Sequence, residues 1–163
     1  MKALSPKRAQ AEKKCPVRRM EARDVPAVLE LTAGAWEAAQ WSHEDYERAA
    51  SGEFDGWVAM SGDQLVGFVV ARRMADEVEI LNLAVERAHR RRGLASQLLD
   101  AALEFARARG ARCAFLEVRE SNAGAMAFYR RRGLVPTARR PRYYSDPVED
   151  AVVFTCKLGG VSA

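Results

Sequence analysis

The sequence predicts an α/β fold, one mixed sheet with helices packed on it, and three observations carry that prediction. A chain of 163 residues is the length of a single domain, and with 48% hydrophobic and 29% charged residues it can bury a core without a disulfide or structural metal. The hydrophobic period changes from helical to alternating near Gly56. In the second half a strand runs through a basic loop into a helix, and another strand and helix follow.

Taken in order, residues 1–15 carry Ser, Pro, Gln and charge without periodicity. Residues 1–16 therefore read as a disordered basic extension and residues 17–160 as the folded domain. Val17 to Met20 forms a first strand. Asp24 then stands as an N-cap with Pro26 in the first turn of a helix whose apolar stripe is Val25, Val28, Leu29 and Trp36. Ser42 with Asp45 three residues on signals a second helix ending near Ala50. Gly56–Met60 and Gln64–Val70 flank Ser61-Gly62-Asp63 and read as a hairpin, with Glu77–Val85 as the next strand. Leu94, Leu98, Ala101, Ala102 and Phe105 mark a long helix closed by Gly110. Cys113–Val118 reads as a strand apolar on both faces, and Ser121-Asn122 caps a helix that runs to about Arg132 and stops at Gly133. Val135–Thr137 and Ala151–Leu158 are the last strands, joined through Arg142–Pro147.

The formal charge of +4 divides unevenly. Residues 1–19 hold seven basic residues against Glu12, a net +6, which leaves −2 for the rest. The leader is either an electrostatic tether to RNA or the ribosome, or a solvated segment with no partner. No apolar run approaches the ~18 residues of a membrane span, and no apolar segment of a signal peptide follows the basic start. Cys15, Cys113 and Cys156 lack CxxC spacing, so neither a disulfide framework nor a zinc site is expected; a cytoplasmic location fits best. His43 and His89 have no partners at ligand spacing, and no metal is expected.

Chemistry concentrates after Leu83-Ala84-Val85. There Arg90, Arg91, Arg92, Gly93, Leu94 and Ala95 lead from a strand straight into a helix, which either sets free N–H groups and the positive dipole end at one point, as suits a phosphate or pyrophosphate, or is a surface loop with three solvated arginines. Neither GxxxxGK[ST] nor GxGxxG is present. Glu117 is an acid inside an apolar strand, either a general base of raised pKa or the partner of Arg119 or Arg112 in a structural ion pair. Tyr129 lies about two helical turns past Asn122 and is either a general acid or a core tyrosine. Tyr143 and Tyr144 either cover a substrate channel or pack a loop.

Arg90–Ala95 resembles the R/Q-x-x-G-x-G/A loop of the GCN5-related N-acetyltransferases (GNAT). The segments Leu81–Val85, Leu116–Arg119, Ser121-Asn122, Ala127–Tyr129, Gly133-Leu134, Tyr143-Tyr144 and Glu149–Ala151, with Trp41-Ser42, are similar to the RimI-type N-terminal alanine acetyltransferases of ribosomal protein. The likeness covers roughly residues 17–158. Departures are the basic extension, Ala95 for glycine and Leu134 for phenylalanine. The resemblance implies a mixed, mostly antiparallel sheet of six to seven strands with about four helices. It also implies acetyl-CoA as co-substrate, held by Leu83, Ala84, Val85, Arg90, Arg91, Arg92, Gly93, Leu94, Ala95, Ser96 and Asn122. Glu117 would be the proton acceptor and Tyr129 the acid that protonates the departing thiolate. The acceptor would be a protein N-terminal amine, such as that of a ribosomal protein. A GNAT enzyme for a small amine or lysine, and a non-catalytic acetyl-CoA-binding module on the ribosome, remain open alternatives.

Overall fold

The computed structural model describes residues 15–35 and 38–159. The leader expected to be disordered falls mostly on residues 1–14, and the apolar stripe expected of the first helix includes Trp36; both lie outside the described residues. Seven strands, β1 (Val17–Arg19), β2 (Asp55–Ser61), β3 (Gln64–Met74), β4 (Glu77–Val85), β5 (Cys113–Arg119), β6 (Val135–Ser145) and β7 (Val148–Lys157), form one sheet in the order β1-β2-β3-β4-β5-β7-β6. Every pairing is antiparallel except β4 with β5. Four α-helices, α1 (Val25–Ala33), α2 (His43–Ala50), α3 (Leu94–Ala108) and α4 (Ala123–Arg131), complete the mixed, mostly antiparallel architecture that the resemblance implies.

Two cores hold the layers together. On one face α3 and α4 seal Val69, Val78, Ile80, Leu116 and Phe154 beneath Leu94, Leu98, Leu99 and Tyr129. On the other, α1 and α2 cover Val58, Phe68 and Val70 with Val25, Val28 and Tyr46. Leu98, Leu99, Phe68 and Phe154 are wholly buried, each contributing about 1.5–3 kcal/mol by leaving water.

Cys15 is buried in the α3 core, and Pro16 accepts a hydrogen bond from Met60 N–H. Asp24 occupies the N-cap position of α1 without capping it with its side chain. Its carboxylate instead takes both guanidinium nitrogens of Arg18 at 2.8 Å and the Glu21 N–H, closing the short 3₁₀ turn that precedes α1. Ser42 and Asp45 form the expected reciprocal capping box of α2.

The hairpin strands run longer than their apolar residues suggest. β3 continues to Met74 because Arg72 pairs with Glu79 and Arg73 with Asp55 across its neighbours. β5 is not apolar on both faces: Ala114, Leu116 and Val118 are buried, while Cys113, Phe115, Glu117 and Arg119 alternate with them, half-buried and outside both cores. β6 extends to Ser145 instead of Thr137. It is the exposed edge strand, so an arginine-rich sequence suits it, and Pro141 falls in the irregular stretch between Arg140 and Tyr144.

Burial opposes ionisation of Asp24, but the Arg18 hydrogen bonds and the Glu21 N–H together outweigh it and hold the carboxyl below its ordinary value. The ionised form therefore contributes stability that is fully present above about pH 4 and fades as pH falls through the folded-state pKa. Asp24→Asn is expected to cost about 2 kcal/mol at pH 7, with the gap to the parent narrowing below pH 4 in urea unfolding followed at both pH values.

Candidate functional site

The centre of the sheet splits. β4 and β5 pair only at Glu77 with Cys113, Val78 with Ala114 and Glu79 with Phe115. Immediately beyond, a bulge in β4 interrupts its register with β3 at Leu81. The extra residue turns two consecutive side chains to one face. Leu81 packs in the α1–α2 core, and Asn82 reaches the same side, donating to Ala39 O at 3.0 Å and to the Tyr46 hydroxyl at 2.9 Å while accepting Ala39 N–H at 3.3 Å. Past the bulge, Glu86 N–H bonds Val66 O on β3, which makes Gly67 and Val85 a non-hydrogen-bonded pair. The backbone N–H and C=O of Val85 therefore face away from β3, into the split.

The segment after β4 is built around that carbonyl. A short 3₁₀ turn (Arg87–His89) leads to Arg90, whose Nε donates to Val85 O at 3.1 Å. Arg91 (φ 63°) and Gly93 (φ 76°) both adopt the left-handed conformation. A Cβ at Gly93 would meet nothing within 4 Å, so the backbone angle rather than space is what asks for glycine there. No side chain caps α3, and its first N–H groups stay open behind Gly93, beside the exposed side chains of Arg91 and Arg92. Of the residues expected here, Leu94 and Ala84 spend their side chains in the two cores, so they offer only backbone, as does Val85. Ala95 and Ser96 are half-buried in the first turn of α3.

On the other lip stands Glu117, two residues past the last paired position of β5. Its side chain is 9% exposed, and its Oε1 lies 3.2 Å from Arg140 Nε on β6. Neither Arg119 nor Arg112 pairs with it; Arg119 pairs with Glu149 at 3.4 Å. Burial first, then the neighbouring Glu79 carboxylate, push the Glu117 carboxyl above its usual range, against the pull of Arg140 and Arg72. Tyr129 is buried, its ring flanked by Phe128 and Phe154, and its hydroxyl makes no hydrogen bond among the described residues. Burial raises its pKa, with Tyr144 adding to the effect. Tyr144 also senses Glu117 and is itself pushed up to about 12, mainly by burial. Tyr143 borders the site as well, its ring centre 5.9 Å from the Arg140 guanidinium carbon. Asn122 accepts the Ala125 N–H at 3.1 Å as the cap of α4.

Sequence reasoning missed Arg140, Glu79, Arg72 and Asn82. Nothing in their spacing points to Glu117 or to one another; the sheet order brings them together. Among the described residues no group of three or more His, Cys, Asp or Glu could hold a metal ion, and no described helix is long and apolar enough to cross a membrane.

A split parallel pair followed by an uncapped helix, with a largely buried carboxylate across the gap, is an arrangement that can hold a phosphorylated acyl carrier against an amine. The chain belongs to the GNAT acetyltransferase family, whose model matches residues 25–134, and it is an N-acetyltransferase by class. Its sequence is 28% identical over 141 residues to the [ribosomal protein bS18]-alanine N-acetyltransferase of Escherichia coli K12, covering 85% of this chain and 95% of that one. The crystal structure of the E. coli ribosomal-protein-S18-alanine N-acetyltransferase superposes with a TM-score of 0.78 at 25% identity, covering 90% of this chain and 96% of that one. Ard1 of Thermoplasma volcanium superposes at 0.79 with 29% identity, covering 88% and 97%.

Asn82 is 5% exposed and fully engaged. Asn82→Ala strands the Ala39 backbone groups and the Tyr46 hydroxyl, so a loss of about 1–3 kcal/mol is expected in chemical denaturation; an unchanged midpoint would show that the latch carries no stability.

Proposed function

We propose that this enzyme moves the acetyl group of acetyl-CoA to the α-amine of a protein N-terminus, with alanine as the terminal residue and a ribosomal protein as the acceptor class. The observation that carries the reading is the pairing of an uncapped, positively polarised α3 terminus with Glu117 across the split sheet. The activity of the E. coli relatives as ribosomal-protein alanine N-acetyltransferases supports the choice of acceptor.

Acetyl-CoA would supply a thioester carbonyl activated for acyl transfer. The N–H groups at the start of α3, with Arg91 and Arg92, would hold its pyrophosphate. The Val85 N–H, turned into the split, would donate to the carbonyl oxygen and to the negative charge that grows on it. Glu117, with a raised proton affinity, would take the proton from the acceptor ammonium directly or through one water, freeing the amine lone pair to attack the thioester carbonyl. An α-amine, at about 7.7–8.0, gives up that proton far more readily than a lysine at about 10.4, so one carboxylate suffices. Tyr129, kept protonated by burial and free of internal hydrogen bonds, would protonate the leaving thiolate. Burial pushes the thiols of Cys113 and Cys156 up, which leaves them poor nucleophiles and favours direct attack in a ternary complex.

An alanine-initiated peptide with internal lysines should be acetylated at its terminus, as read by tandem mass spectrometry; acetyl groups on lysine, or only on added polyamines, would replace this reading with the lysine or small-amine alternative. Glu117→Gln should keep the thermal shift given by acetyl-CoA and lose about 10²–10⁴-fold in kcat. Gly93→Glu should lose the thermal shift while keeping its parental circular dichroism, because an anion would occupy the pyrophosphate site. Equal affinities in the two variants would separate the loop from the cofactor. Tyr129→Phe should lower kcat with little change in KM.

A further inference from the structure

The Glu117 carboxylate is shared between two demands. It must be ionised to accept a proton, yet it sits on a half-buried strand facing Glu79, a second carboxylate that is 8% exposed. Arg72 on β3 neutralises Glu79, and Arg140 on β6 reaches over β7 to Glu117. Tyr143 and Tyr144 complete the set of titratable groups that face Glu117 from β6. The two ion pairs differ in freedom. The Arg140 side chain is 52% exposed, and it sits where the β6–β7 register breaks, two residues before Arg142 in the left-handed conformation. It also lines an open depression of about 270 Å³ with Glu77, Cys113, Phe115, Val153 and Thr155. Glu77 is exposed there and accepts only the Cys113 thiol among the described residues, so a guanidinium that leaves Glu117 meets another carboxylate in the same hollow.

We propose that Arg140 is the positioning residue of the acyl-transfer site, an exchangeable counter-ion that keeps Glu117 ionised and oriented until the cationic amine of the acceptor takes its place. The inference rests on the assignment of Glu117 as the base. An arriving ammonium and the Arg140 guanidinium compete for one carboxylate, and the half-exposed arginine can be rehydrated at little cost as it swings toward Glu77. Displacement removes the cation that weakens the base just as the proton must be taken, so proton affinity rises in the ternary complex. Lysine at position 140 can serve the same purpose, because what is needed is a mobile positive charge and not a bidentate fork.

The test compares the parent with Arg140→Gln and Arg140→Lys in two measurements. The first is the titration of the Glu117 carboxyl by ¹³C NMR in the protein without substrate, assigned by the signal missing from Glu117→Gln. The second is the acid limb of kcat/KM for an alanine-initiated peptide. Loss of an opposite charge a few ångströms away should raise the Glu117 midpoint by about one pH unit in Arg140→Gln, with Arg140→Lys close to the parent. The acid limb should move upward by the same amount. Superimposable carboxyl titrations in parent and Arg140→Gln would overturn the proposal, as would a shifted titration with an unmoved acid limb. A parent that acetylates no peptide but still shows the carboxyl shift overturns instead the N-terminal acceptor reading, and the acid limb is then read with the amine it does acetylate, where an unmoved limb overturns Arg140's part in the reaction. Arg140 is exposed and outside both cores, so a folding defect does not obscure either reading.

Discussion

Beyond Glu79 and Phe115 the two parallel strands at the middle of the sheet stop sharing hydrogen bonds, and the site is arranged around the backbone groups this releases. Parallel neighbours in a closed sheet would use up the Val85 amide. Here the bulge at Leu81 turns β4 away, and what remains is a polarised wedge bounded by Val85 on one lip and Glu117 on the other. The freed groups are not left to chance. The Val85 carbonyl is taken by Arg90, which also ties the basic loop to the strand end. On the opposite face the same bulge delivers Asn82 to Ala39 and Tyr46, locking the segment between α1 and α2 to β4. The β4 lip of the opening is thus held both by the loop that follows it and by the segment before α2.

Charge is distributed around the wedge with similar economy. The carboxylates of Glu79, Glu117 and Glu149 are each matched by one arginine, from β3, β6 and β5 respectively. Arginine suits this work because it holds its charge under all conditions and is weakly hydrated, so pairing it at a partly dry surface costs less than burying an ammonium. Glu117 is the member whose proton affinity remains raised despite its partner, since burial and Glu79 act together on it. A raised proton affinity is what the proposed role of Glu117 as proton acceptor asks for.

The hairpin of β6 and β7 links these charges to the rest of the site. Glu149 accepts Ser121 N–H and pairs with Arg119, tying the hairpin to the turn before α4. Asp150 accepts Arg142 N–H and pairs with Arg139, bracing the irregular stretch that carries Arg140. Arg119 in turn lies 4.2 Å from the centre of the Tyr144 ring. The Glu-Asp pair that contributes to the family resemblance therefore has a structural explanation: it sets the position of the tyrosine–arginine wall beside Glu117.

Much of this was legible in one dimension because it rests on local chemistry. The capping box of Ser42 and Asp45, the turn at Gly62, the stop at Gly133 and the basic loop leading into α3 depend on residues within a few positions of one another. Glu117 stood out because a carboxylate inside an apolar strand is costly anywhere. The length of β6 was not legible, since an edge strand owes its form to backbone pairing with β7 and shows no apolar pattern. Nor was the burial of Cys15, which depends on β1 lying against β2. By itself the sequence determined the helices, most of the strands, the basic loop before α3 and the odd acid. Only the tertiary structure decided that Arg140 rather than Arg119 or Arg112 would face that acid, and that Asn82 would turn toward Tyr46. Sheet order and a bulge act across dozens of residues, and no local pattern encodes which distant side chains they bring within hydrogen-bonding reach.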